Sequence, residues 1–176
     1  IQTTNDDAEE NGPDSPYGHG NMYMNSSDLE MVTDGPSVQT VGLRFQGLTI
    51  PQGAMVSSAK IEFTADENPD NLATTLAIKA QASDNAEPFD PDAAFNISGR
   101  EAIEDSVNWE NIAPWTEDEQ YHTPELKDMV QTIVNREGWV AGNAMAFIIN
   151  GEGTRRAVSF DGTADKAPLL KLVYLA

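Results

Sequence analysis

The sequence predicts an all-β fold, an antiparallel β-sandwich of the jelly-roll type with about eight strands and one crossover helix at 124–137. Three observations support this prediction. Short apolar runs recur along the chain and are separated by Gly, Pro, Asn and Asp, the residues that favour turns. Residues 55–64 alternate between apolar and polar side chains, which is the period of a half-buried strand. One segment has the period of a helix and lies in a crossover between strands. An immunoglobulin-type sandwich is the alternative fold.

The first 20 residues are predicted to form an acidic N-terminal arm or loop, because they are rich in Asn, Asp, Gly, Pro and Ser. Strands are predicted wherever a short apolar or alternating run follows a turn signal. A polar loop is predicted at 66–71. The predicted strands are 22–32, 41–50, 55–64, 75–82, 107–109, 144–149, 157–160 and 169–174.

One helix is predicted between these strands. Thr123 is a suitable N-cap residue, Pro124 fits the first helical position, and Gly138 follows the last turn. An apolar stripe at helical spacing predicts one buried face. Its members are Leu126, Met129, Val130, Ile133 and Val134.

The composition limits the classes to which this protein can belong. The chain has 176 residues, of which 39% are hydrophobic, and it is predicted to be a single domain over 1–176. Ten basic and 29 acidic residues give a net charge of −19, which argues against nucleic acid as a partner. No apolar run reaches the roughly 18 residues of a membrane span, so no membrane insertion is predicted. The chain opens in polar sequence, as a mature or excised domain would.

Several short motifs occur in a fixed order between residues 41 and 174. They are VGLRF at 41–45, IPQGA at 50–54, SAKIEF at 58–63, SVNW at 106–109, a Thr-Pro helix ending in Gly138-Trp139, SFD at 159–161 and APLL at 167–170. This order resembles the disaggregatase-related (DNRLRE-type) carbohydrate-binding modules and related secreted bacterial jelly-roll domains. The resemblance implies a calcium-bearing module attached to a larger polysaccharide-degrading or surface protein.

A calcium site is predicted near the N-terminus. The chain has no cysteine, so a bound metal would replace disulfides as the cross-link of a secreted domain. Calcium takes six to eight oxygen ligands, and no Lys or Arg occurs before Arg44 to compete for the acids. A solvated acidic arm without an ion is the alternative. The predicted ligands are Asp6, Asp7, Glu9, Glu10, Asp28 and Glu30.

The predicted ligand-binding residues are Trp115, Tyr121, Arg155 and Arg156. Trp115 and Tyr121 lie in a polar, acidic segment, where exposed aromatic rings could stack on sugars. Arg155 or Arg156 could bind a sugar carboxylate with two hydrogen bonds, although structural pairing is the alternative for both. Arg44 is predicted to pair with a carboxylate. Two further tryptophans, at 109 and 139, are predicted to be core residues, and the tyrosines at 17 and 23 are secondary candidates for sugar contact.

These observations lead to the expectation of a non-catalytic carbohydrate-binding module, secreted or at the cell surface of a bacterium. It would be calcium-stabilised, bind a polysaccharide, belong to a larger multidomain chain and be monomeric when isolated. A structural or adhesive calcium-binding domain is the first alternative. A polysaccharide lyase or glycoside hydrolase is the second, and Tyr121 beside His122 is its local indication. No nucleophile elbow or phosphate-binding glycine loop occurs.

Overall fold

Twelve strands and one α-helix make up the part of the chain that the computed structural model describes, residues 1–66 and 72–175. Most of the loop predicted at 66–71 lies outside these residues. In chain order the elements are β1 (Asp7–Glu10), β2 (Met22–Tyr23), β3 (Asp28–Asp34), β4 (Ser37–Val38), β5 (Thr40–Phe45), β6 (Met55–Thr64), β7 (Thr75–Ala80), β8 (Val107–Trp109), β9 (Gln120–His122), α1 (Lys127–Val134), β10 (Met145–Glu152), β11 (Thr154–Val158) and β12 (Leu169–Leu175).

The strands form a six-stranded sheet of order β2-β1-β5-β10-β7-β8 and two three-stranded sheets, β11-β3-β4 and β12-β6-β9. The strand pairs are antiparallel. A single bridge between Ala65 and Ala157 joins the two smaller sheets, and both share one hydrophobic core with the larger sheet. The predicted antiparallel β-sandwich is therefore confirmed. The described residues form twelve strands rather than eight, because several strands of two to four residues carry no apolar period.

The long strands follow their sequence pattern. In β6, Ala59, Ile61 and Phe63 are buried, as the alternation predicts. In β7, Leu76 and Ile78 are likewise buried and meet β10 in the core. These strands lie at the centre of the sandwich, and the polar segments at its edge pack beside them.

The helix is shorter than predicted. It begins at Lys127 and ends at Val134, with Leu126 as its N-cap residue. Thr123 is not the N-cap, because its hydroxyl accepts a hydrogen bond from the Ile61 amide at 3.1 Å. Backbone hydrogen bonds from Thr123 and Leu126 to strand β6 keep this segment out of the helix. The α-helix has eight residues, and no helix in the described part of the chain is long and apolar enough to span a bilayer.

Part of the predicted N-terminal arm is a strand. Residues 7–10 form β1, which pairs with β5 on one side and with β2 on the other. All four side chains of β1 are buried. The sequence Asp-Ala-Glu-Glu has no apolar alternation, so the strand depends on hydrogen-bond partners supplied by distant segments.

Candidate functional site

Two of the buried carboxylates of β1 accept hydrogen bonds from backbone amides. Asp7 Oδ2 accepts a hydrogen bond from the amide of Phe160 at 2.8 Å. Glu10 Oε2 accepts hydrogen bonds from the amides of Ile97 and Ser98, both at 2.8 Å. Burial raises the pKa of Asp7 to about 6, and the charge of nearby acids adds to this shift. These carboxylates therefore anchor loops to the strand.

Asp6 forms an ion pair with Arg44. The Arg44 Nη1 atom lies 2.5 Å from Asp6 Oδ1, and the Gln46 side-chain amide donates to Asp6 Oδ2 at 2.8 Å. The backbone amides of Gln2 and Thr3 also donate to Oδ2. Burial alone would raise the pKa of Asp6, but the hydrogen bonds from these donors outweigh it and hold the pKa below 3.8. The predicted pairing of Arg44 with a carboxylate is confirmed.

Glu9 and Glu30 lie close enough for each carboxyl to influence the pKa of the other. Glu9 Oε1 also accepts hydrogen bonds from the Glu30 amide at 2.8 Å and from the Gln39 side chain at 2.7 Å. Burial raises the pKa of Glu9 well above its usual range, and the neighbouring Glu30 carboxyl adds to the shift. Burial also raises the pKa of Glu30, with a further contribution from Asp28.

A cavity of about 560 Å³ lies beside this pair. It is at one edge of the sandwich, where β1 and β2 of the six-stranded sheet meet β3 of a smaller sheet. Its lining is mainly polar, and Met22 is its aliphatic member. The polar lining includes Glu9, Glu30, Asp34, Asn11, Asn21 and Gln39. We call this cavity the edge cleft.

Two exposed tyrosines flank the edge cleft. Tyr17 is 76% exposed and Tyr23 is 51% exposed, and both line the cavity. Tyr23 lies opposite Glu9 in the β1–β2 pair, so the two side chains share one face of the sheet. Tyr17 precedes a turn with Gly18 in a positive-φ conformation, and the Asn21 side chain donates to the Tyr17 carbonyl at 2.7 Å. The turn therefore fixes the Tyr17 backbone at the edge cleft.

The six acids predicted as calcium ligands do not form one cluster. Within residues 1–66 and 72–175, no group of three or more acidic or histidine side chains is arranged to hold a metal ion. Five of the six have protein donors: four are described above, and Asp28 accepts from the Ser26 hydroxyl at 3.2 Å. Since calcium requires six to eight oxygen ligands, this arrangement does not fit a calcium cage. The calcium site stays a prediction from the sequence.

The expected exposure of Trp115 is wrong. Its side chain is 2% exposed and stacks on the ring of Tyr121, with centroids 4.9 Å apart and an interplanar angle of 6°. Phe63 and Trp109 complete this aromatic cluster. Tyr121 is half-buried, and its hydroxyl accepts a hydrogen bond from the Thr116 amide. Trp139 is buried as predicted, whereas Trp109 is half-buried against the core.

Arg155 and Arg156 point to opposite sides of β11. Arg155 is 1% exposed, and its guanidinium donates to the backbone carbonyls of Leu72, Ala113 and Thr154 among others. Arg155 is therefore a structural residue, which is the alternative given above for this pair. Arg156 is half-buried and lies opposite Glu30 in the β3–β11 pair.

A second groove, of about 360 Å³, lies on the sheet of β6, β9 and β12. Lys60, His122 and Lys171 line it, which brings together three of the few basic side chains. Glu62 Oε2 accepts a hydrogen bond from Lys171 Nζ at 2.5 Å and lies 2.8 Å from His122 Nε2. This groove has fewer groups free to bind a ligand than the edge cleft.

No protein-family model matches this chain, and no curated protein matches it either. The resemblance to carbohydrate-binding modules therefore rests on the sequence motifs. The edge cleft must be interpreted from its own chemistry.

The edge cleft combines aromatic rings, side-chain amides and carboxyls. Amides and carboxyls can donate to or accept from neighbouring hydroxyl groups, and exposed rings can cover an apolar ligand face. Of the residues singled out in the sequence, it brings together Glu9 and Glu30 with the secondary candidates Tyr17 and Tyr23. The sequence pointed to these tyrosines through the glycine turn, whereas Gln39 carried no local signal.

Proposed function

We propose that this chain is a non-catalytic carbohydrate-binding module that holds a saccharide in the edge cleft. The observation that carries the proposal is the pair of exposed tyrosines, Tyr17 and Tyr23, beside a polar cavity of about 560 Å³. As in the sequence-based expectation, the module would act outside a bacterial cell, as one domain of a larger protein.

The chemistry of the lining supports a sugar ligand. A pyranose ring has an apolar C–H face, which packs on an aromatic ring, and an equatorial rim of hydroxyls that needs hydrogen-bond partners. The tyrosine rings supply the first kind of contact. The amides of Asn11 and Asn21 supply the second, because a side-chain amide carries both donors and an acceptor. The Gln39 nitrogen already donates to Glu9 and to the Glu30 carbonyl, so Gln39 offers its oxygen.

The geometry of the carboxyl pair favours binding over hydrolysis. The two acids of a glycoside hydrolase flank the scissile bond with their carboxyl groups roughly 5 Å apart or more. Glu9 is instead 2% exposed, and its Oε1 atom accepts hydrogen bonds from the Glu30 amide and the Gln39 side chain. A buried carboxyl held by protein donors is poorly placed to flank a glycosidic bond.

Affinity electrophoresis and calorimetry against a panel of soluble plant, algal and microbial polysaccharides would test the proposal. We expect at least one polymer to retard the wild-type chain, and Tyr23→Ala to weaken that binding about tenfold or more. Met55→Ala is the matched control, because Met55 is equally exposed but lies on β6, outside the edge cleft. Failure of every polymer to bind the wild-type chain would refute the proposal.

A structural or adhesive domain is the second candidate, and the burial of Trp115 and Trp139 favours it. A sandwich that presented a row of exposed tryptophans would favour sugar binding more strongly. Under this alternative the edge cleft binds no polymer in the panel, and the Tyr23→Ala variant behaves as wild type in every assay.

A further inference from the structure

Strand β12 is apolar, yet none of its side chains is buried. Six of its seven residues are Leu, Val or Tyr, and Lys171 is the exception. The side chains alternate between exposed and half-buried, and Leu169, Val173 and Leu175 are 50%, 59% and 57% exposed. The apolar part of β10, in contrast, is buried on both faces. Contiguous exposed apolar side chains mark an interaction surface, so β12 lacks part of its cover.

The backbone of β12 also has an unpaired side. The strand lies at the end of the β12-β6-β9 sheet and pairs with β6 along its whole length. None of the described residues outside β6 hydrogen-bonds to the backbone of β12. The contacts nearby are the amine of Ile1 with the Pro168 carbonyl and the hydroxyl of Thr49 with that of Tyr174. The outward N–H and C=O groups of β12 are therefore open to another strand.

The sheet that carries β12 differs in charge from the rest of the chain. Its three strands contain Lys60, Lys171 and one acid, Glu62, which gives them a net charge of 2 − 1 = +1, whereas the chain has a net charge of −19. Two copies of the chain repel each other over most of their surface. They repel each other least where β12 faces β12.

We propose that β12 is a dimerisation strand, which pairs antiparallel with β12 of a second copy across a two-fold axis at Leu172. This register pairs all seven residues. It places Leu169 beside the partner's Leu175 and Lys171 beside the partner's Val173, so apolar side chains meet and the lysines are not directly opposed. A register centred on Lys171 would oppose two like charges. The contact is self-complementary, as a two-fold interface must be.

The pairing joins the two β12-β6-β9 sheets into one six-stranded sheet, because backbone hydrogen bonds continue across the axis. The dimer would replace the monomer expected from the sequence. It is independent of the proposed function, since no residue of β12 lines the edge cleft.

Sedimentation equilibrium of the wild-type chain tests the dimer. A single strand pair is a small interface, and small interfaces are weak, so the measurement covers about 5 to 500 µM. We expect a reversible change from one to two chains per particle within that range. Added salt should strengthen the dimer, because it screens the repulsion between two acidic molecules. One chain per particle at every concentration would overturn the inference, as would a wild-type dimer that dissociates in salt.

Two substitutions of Val173 test the register. Val173→Lys places a lysine beside the partner's Lys171 on both sides of the axis and should weaken the dimer about tenfold or more. Val173→Glu places a carboxylate beside the same lysines and should dimerise about as tightly as wild type. Net charge alone predicts the reverse order, because Val173→Lys makes the chain less acidic. Equal dissociation constants for the two variants, or the reverse order, would overturn the inference.

Val38→Lys is the matched control. Val38 is also an exposed valine, but it lies on β4, at the edge of another sheet. The variant should dimerise at least as tightly as wild type, and circular dichroism checks that all three variants are folded. A loss of dimerisation in Val38→Lys equal to that in Val173→Lys would show that β12 is not the interface. Saccharide binding is measured separately, so a failure of either proposal leaves the other testable.

Discussion

The guanidinium of Arg44 and the carboxylate of Asp6 form an ion pair at 2.5 Å, with the Asp6 side chain fully buried. The two residues are 38 positions apart in the sequence. Their pairing joins the N-terminal segment to β5, the strand with which β1 pairs.

Replacing Asp6 by Asn should destabilise the protein by about 3 kcal/mol, because it leaves the Arg44 charge buried without its partner. Since the pKa of Asp6 is lowered in the folded state, its contribution is present above pH 3.8 and is lost as the pH falls through the folded-state value. Urea unfolding at neutral and acidic pH measures both effects. The difference between wild type and variant should shrink in acid.

The exposed Asp105→Asn substitution is the control for this experiment. The double variant Asp6→Asn, Arg44→Met should regain part of the lost stability, because it removes the unpaired charge. A double variant no more stable than Asp6→Asn alone would contradict the role assigned to the pair.

Asp7 should make the protein less stable as the pH rises. Its pKa is raised to about 6 by burial, so between pH 3.8 and about 6 the folded state binds more protons than the unfolded state. The free energy of unfolding therefore falls through this window. In Asp7→Asn, which can still accept the Phe160 hydrogen bond, we expect a flatter pH profile and a gain on the order of 2 kcal/mol at neutral pH. Identical pH slopes in wild type and variant would show that Asp7 is not the group responsible.

Strands with an apolar period were predictable from the sequence, and strands built on polar contacts were not. The alternation in β6 and β7 locates both strands because the pattern itself creates the buried face. Strand β1 has no such pattern, and its carboxylates are satisfied by donors as distant as Phe160. Similarly, the acidic residues that follow Trp115 suggested that its indole ring is exposed. The ring is instead covered by Tyr121, which stacks on it from across a turn. The edge cleft was missed for the same reason, because it forms only where β1 and β3 meet.

Removal of metal should leave the stability unchanged. Five of the six predicted ligands already accept hydrogen bonds from the protein, for example Glu10 from the amides of Ile97 and Ser98. We therefore expect the same melting temperature before and after exhaustive treatment with a chelator, checked by elemental analysis. A fall of several degrees that calcium reverses would instead support the calcium site predicted from the sequence.

Arg155 should contribute to stability and not to ligand binding. Its guanidinium is buried and hydrogen-bonded to carbonyls that include those of Leu72 and Ala113. Arg155→Met would leave several of these acceptors without donors, at a cost of about 3 kcal/mol. Chemical denaturation measures this loss. At a temperature where the variant is still folded, its affinity for any polysaccharide bound by the wild type should be unchanged. A loss of binding without a loss of folding would instead show that Arg155 contacts the ligand.

Tryptophan fluorescence distinguishes the edge cleft from the site first predicted around Trp115. None of the three tryptophans lines the edge cleft, so saturating saccharide should leave the emission maximum and intensity unchanged. The Trp115→Phe variant should bind with wild-type affinity, because the indole N–H of Trp115 has no hydrogen-bond partner among the described residues and the phenyl ring can still stack on Tyr121. Titration of both proteins with a polymer that binds the wild type provides the measurement. A shift in tryptophan emission on binding, lost in Trp115→Phe together with affinity, would place the ligand at the aromatic cluster and away from Tyr17 and Tyr23.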